Sequence, residues 1–232
     1  MHLMHTRVQR AAAEFLGTAF LVAAVIGSGI AAQRLSPDDT GLQLLENSLA
    51  TGAVLVAMIL ALQPVSASFN PVVTLAERVL GRITTSDAAV LVAAQLVGGT
   101  VGAIVANLMF DLDPVSIAST DRASSGHLLG EVVATLGLVL VVFGALRSPR
   151  IETVAFAVGG YISAAYWFTS STSFANPAVT VARMFSDTFA GITPASVPPF
   201  VLMQLVGGAL GVGIVLFLQL PSTPHSVPEE VS

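Results

Sequence analysis

The stretch SFANPAVTVARMF, residues 173–185, sets an Asn-Pro pair in front of a short apolar run, and SFNPVVTLAERVL, residues 68–80, is a near copy of it. Asn caps helices well, and Pro suits the first helical position because its missing N–H would be unpaired there anyway. One such pair reads as an ordinary surface helix start. Context removes that reading here. Each pair follows a small, polar stretch (PVSAS, TSSTS) and opens a run too short to cross a bilayer. The two runs read as half-helices that enter a membrane and stop. Irregular backbone at that depth is tolerated only where it lines a cavity or is buried in protein.

The rest of the chain supplies the membrane context. Hydrophobic residues make up 54% of the 232, charged residues 10%, and the mean hydropathy is +0.83. Soluble domains carry about a quarter charged residues, so this composition cannot cover a water-facing surface. The net charge of −5 has no acidic or basic tract behind it, and nucleic acid is not an expected partner. With no cysteine, disulfides, thiolate metal sites and Cys nucleophiles are excluded. The apolar run after the basic N-terminus is too long for a signal-peptide core and reads as a retained first span.

Hydropathy predicts six transmembrane helices, at 10–33, 44–62, 86–109, 127–146, 152–168 and 197–220. All nine basic residues are Arg. With the N-terminus inside, Arg7, Arg10, Arg78, Arg82, Arg147 and Arg150 fall on the cytoplasmic side, and Arg34, Arg122 and Arg183 on the other. The positive-inside bias therefore favours cytoplasmic termini, including the tail at 221–232.

The chain is a single membrane domain made of two copies, approximately 10–110 and 127–220. Each runs in the same order: a Glu near a helix start (Glu14, Glu131), the Asn-Pro segment, then QLVGG beginning at Gln95 or Gln204. Three spans per copy is an odd number, so the second copy is inverted relative to the first. Inverted repeats place a pathway at the pseudo-two-fold axis near the midplane. The half-helices opening at Asn70 and Asn176 then meet end to end. Each aims about half a unit of positive dipole at the same point, and the Asn amides add donors. Such a centre binds the oxygen of a neutral solute and repels cations.

At these residues the chain resembles the aquaporin and glycerol-facilitator family, over nearly its whole length from AEFLGT at 13–18 to QLVGG at 204–208. The resemblance implies an hourglass pore of six helices and two re-entrant half-helices, and a homotetramer in the cell's inner membrane. It also implies passive conduction of small neutral solutes without a cofactor. Asn70, Pro71, Val72 and Asn176, Pro177, Ala178 would form the pore centre, with Val72 departing from the family's usual Ala.

The resemblance further implies a narrow filter of four residues, one of them normally the Arg following the second motif. Here that residue is Val179. Motif spacing gives Ser173 as a second member. Ala164 is the ungapped match in the fifth span, with Tyr161 or Ala165 as alternatives, and Thr51 is the match in the second span. The set Thr51, Ala164, Ser173, Val179 is small and uncharged, which widens the expected constriction. Val after the second motif resembles the bacterial aquaporins associated with arsenic-resistance operons, implying trivalent metalloid hydroxides such as arsenous acid. Ordinary glycerol facilitation is the near alternative.

Arg183 lies four residues past Val179, about 6 Å further along the helix, and could reach back toward the mouth. Since Arg78 occupies nearly the same place in the first half-helix, binding to nearby carbonyls or headgroups is the expected role of both. Glu14 and Glu131, ionisable groups inside apolar spans, could relay protons in a coupled transporter. The resemblance instead implies that they hold the re-entrant loops, with Gln95 and Gln204 beside them. His2, His5 and His225 lie in tails and His127 at a span start, with no metal-ligand spacing. No catalytic triad or phosphate loop occurs, so an enzyme is not expected. A non-conducting scaffold on the same fold is a third reading, against which the intact Asn-Pro pairs argue.

Overall fold

The computed structural model describes residues 5–150 and 152–218 of the chain. The predicted tail at 221–232, the end of the last predicted span, and His2 and His225 lie outside those residues. Six long α-helices and two short ones account for the described chain, in the repeated order long, long, short, long. The first half holds α1 (Arg7–Leu35), α2 (Thr40–Leu62), α3 (Pro71–Val79) and α4 (Thr85–Met109). The second holds α5 (Ser125–Ala145), α6 (Glu152–Phe168), α7 (Pro177–Arg183) and, after one 3-10 turn, α8 (Val197–Leu218).

Helix boundaries differ from the hydropathy spans at their N-termini for a local reason. Thr6, Asp39, Thr84 and Ser124 accept backbone N–H bonds as N-caps, so helix begins in polar sequence that hydropathy discounts. Five of the long helices are long and apolar enough to cross a bilayer, and α6, with 17 residues, lies at the lower end of the usual range. Large apolar side chains stay exposed around the outside, Phe20, Val97, Phe156 and Phe217 among them, which suits lipid rather than water.

The two halves pack by the same contacts. In the first, α1 lies along α4, and in the second α5 lies along α8. Close approach needs glycine at these seams: a Cβ on Gly98 or Gly102 would strike the carbonyls of Phe15 and Ala19, and one on Gly207 the carbonyl of Val132. The short helices α3 and α7 meet in the middle, each against the long helices of both halves.

Candidate functional site

Each short helix starts where its Asn turns the chain. Asn70 Oδ1 accepts the Val72 N–H at 2.9 Å, and Asn176 Oδ1 accepts those of Ala178 at 3.0 Å and Val179 at 3.3 Å. The residue just before each Asn, Phe69 or Ala175, has positive φ, at 48° and 47°. Side chains with a Cβ resist this left-handed region, so both turns carry strain that the surroundings must hold.

Two carboxylates hold it. Glu14 accepts the backbone N–H of Ser68 at 2.9 Å and of Phe69 at 2.6 Å; Glu131 accepts those of Phe174 and Ala175, both at 2.9 Å. Gln95 Nε2 donates to Glu14 at 2.7 Å and to Thr74 Oγ1 at 2.8 Å, and Gln204 makes the equivalent bonds to Glu131 and Thr180. All four side chains are fully buried. The carboxylate lone pairs of Glu14 and Glu131 are committed to backbone, amide and hydroxyl donors, the arrangement a buried carboxylate needs, while Gln95 Oε1 and Gln204 Oε1 have no partner among the described residues.

The halves are then tied crosswise. Asn70 Nδ2 donates to the Ala175 carbonyl and Asn176 Nδ2 to the Phe69 carbonyl, each at 2.8 Å. An amide nitrogen carries two hydrogens, so each Asn keeps one donor beyond this cross-tie. Both Asn line a cavity of about 300 Å³. It runs from Arg10, Gln63 and Glu77 at one end, past the two Asn, to Thr51, Tyr166, Ser173, Val179 and Arg183 at the other. Between these, Val25, Leu55, Leu138, Val158 and Ile162 give it apolar walls. Pro71, Val72, Pro177 and Ala178 are buried behind the wall and do not line it. The bulk of Val72 is housed by Gly208, where a Cβ would collide with it.

Three of the four expected filter residues come together on the wall: Thr51, Ser173 and Val179. Ala164 does not. It is exposed on the outer face of α6, and Tyr161 turns away to donate to the Ala134 carbonyl at 3.0 Å. From α6 it is Tyr166 that lies on the wall here, its hydroxyl 3.1 Å from Thr51 Oγ1. The face of α6 toward the cavity is Val154, Val158, Ile162 and Tyr166, a run at i, i+4 that the sequence displays and that would have picked out Tyr166. This end of the cavity therefore carries an aromatic side chain beside the small residues. Ser173, on this wall, has its Oγ buried without a hydrogen-bond partner among the described residues.

Arg183 departs from its supposed equivalence with Arg78. Arg78 donates to Thr85 Oγ1 at 2.7 Å, off the cavity, whereas Arg183 is buried on the wall with its Nε bonded to the Ala190 carbonyl. Counted from each Asn, the counterpart of Arg183 is Glu77, the seventh residue on in both helices. His127 lies in the first turn of α5 with Nδ1 3.0 Å from the Arg122 carbonyl, and no cluster of metal-ligating side chains occurs among the described residues.

Residues 3–153 match the Major intrinsic protein family. The chain is 46% identical to the aquaglyceroporin AqpS of Rhizobium meliloti (strain 1021), over 93% of this chain and 92% of that one. It is 28% identical to the lens fiber major intrinsic protein of Rattus norvegicus, over 95% and 84% of the two chains. Its fold matches the X-ray structure of the aquaglyceroporin from Plasmodium falciparum with a TM-score of 0.71 at 19% identity, covering 92% of this chain and 95% of that one.

Proposed function

The chain belongs to the Major intrinsic protein family, whose members are multi-pass membrane channels and not enzymes, and from that premise we propose that it is a passive pore for small uncharged solutes. The cavity carries the reading: apolar along its sides, it passes both Asn and ends among Thr51, Tyr166, Ser173 and Val179. A neutral solute entering it meets polar groups at each end and the Asn pair between them, with nonpolar side chains along the rest of the wall. That combination passes molecules which shed water cheaply and holds back hydrated ions.

Glycerol is the reference substrate, supported by the 46% identity to an aquaglyceroporin. Trivalent metalloid hydroxides, arsenous acid among them, fit the same chemistry as small neutral triols. Val179 in place of a cation at that position supports a passage wider than a strict water pore. The pore centre is assigned to the Asn70 and Asn176 motifs, the filter to Thr51, Tyr166, Ser173 and Val179, and the bracing of the loops to Glu14, Glu131, Gln95 and Gln204. Each chain forms its own pore from its two inverted halves, 10–110 and 127–220. The chains assemble as a homotetramer in the bacterial inner membrane, with both termini cytoplasmic.

Purified protein in liposomes tests this. After an osmotic step, glycerol and arsenite should enter in proportion to their gradients, indifferent to a pH gradient or an ionophore. Saturable, proton-driven accumulation would refute the channel and return Glu14 and Glu131 to consideration as coupling groups.

A further inference from the structure

A second cavity, of about 190 Å³, lies beyond the far end of the first and is lined by Thr40, Asn47, Arg122 and Phe189 among others. One lining residue is common to both cavities, Arg183. It therefore stands at the partition between them. Its place there follows from helix geometry: Asn176, Val179 and Arg183 share one face of α7, as Asn70, Val73 and Glu77 share one face of α3.

The guanidinium is held in a fixed pose. Its Nε is anchored on the Ala190 carbonyl, and its central carbon lies 3.4 Å from the centroid of the Phe174 ring. Arg122, from the second cavity, approaches the same ring at 5.3 Å, so Phe174 is flanked by two cations. Among the described residues no carboxylate forms an ion pair with Arg183, and its terminal nitrogens make no hydrogen bond. Only 3% of the residue is exposed. A buried, unpaired cation keeps its full field in a low-dielectric wall, and its free N–H groups can reach only what passes.

We propose that Arg183 is the charged gate of this channel: its guanidinium forms the partition between the two cavities, excludes cations there and limits the size of the solutes that cross. The proposal rests on the channel reading above. It moves the ion barrier off the Asn pair and onto a residue one turn beyond Val179. Glu77, the residue at the matching place in the other half, accepts the Ser68 hydroxyl at 3.0 Å and shares its mouth with Arg10, so the unpaired cation on the wall belongs to the Arg183 side alone.

The test uses the full chain in proteoliposomes as wild type, Arg183→Met and Arg183→Lys, with water and glycerol flux by light scattering and sodium entry by an internal dye. Arg183→Met should raise the glycerol-to-water permeability ratio by roughly fivefold or more and open a sodium leak, since one charge-assisted donor and its field are lost. Arg183→Lys keeps the charge but loses the planar group stacked on Phe174, so it should stay sodium-tight while its ratio rises. Should Arg183→Met not fold, the lysine variant decides through that ratio. A variant that conducts water but keeps the wild-type ratio, or a methionine variant without a sodium leak, overturns the gate. Wild-type liposomes that admit neither glycerol nor arsenite overturn the channel reading instead.

Discussion

At the residue scale, Val179 and Glu131 make the clearest demands. Val179 is buried on the wall within a turn of Asn176. Val179→Arg adds a long cation opposite Thr51 and Tyr166, so glycerol flux should fall by about tenfold while water falls less; stopped-flow scattering separates the two. Equal loss for both solutes would remove Val179 from the filter. Glu131 accepts two backbone N–H groups at the strained turn before Asn176. Glu131→Gln leaves one of them facing an amide NH2, at a cost of about 1–3 kcal/mol. Thermal unfolding in detergent should shift down accordingly, and an unchanged midpoint would remove Glu131 as the brace. These residues also mark how far the sequence can be read. The Asn pair, both Glu and both Gln are legible because the duplication prints each of them twice. Tyr166 has no copy to flag it, and its position depends on which face α6 turns inward. Arg183 does bind a nearby carbonyl as expected, but aligning the two Arg by type conceals that Glu77 holds the matching register.

At the element scale, the seams between helices are set by atoms too small to leave a hydropathy signal. Gly208 on α8 lies against Val72 on α3, so the valine that departs from its repeat counterpart Ala178 sits in space that glycine provides. Gly208→Ala should destabilise the folded channel by about 1–3 kcal/mol through overpacking. Combining it with Val72→Ala should recover most of that loss, and a double-mutant cycle in thermal stability measures the coupling. Purely additive effects would mean the two residues do not share the space. Helix ends tell the same story in polar terms. The caps at Thr6, Asp39 and Ser124 extend the helices beyond the apolar windows that predict them.

At the scale of the whole molecule, the duplicated order of elements was readable from three matched segments, while the charge difference at one matched wall position was not. That difference arises because one register position carries Glu in one copy and Arg in the other, and only the folded wall shows that both face inward. The crossed amide bonds carry a different consequence. Asn70 is completed by a carbonyl from the second half, and Asn176 by one from the first. Neither half contains the acceptor its own central residue requires. A chain cut in the 111–123 connection should therefore behave as a complementation pair: each fragment expressed alone yields no glycerol flux and is degraded, and the two together restore both. Flux from one fragment alone would contradict the crossed bonds. The same reciprocity makes the two copies captive to each other, since a loop that drifts in one half withdraws a partner from the other.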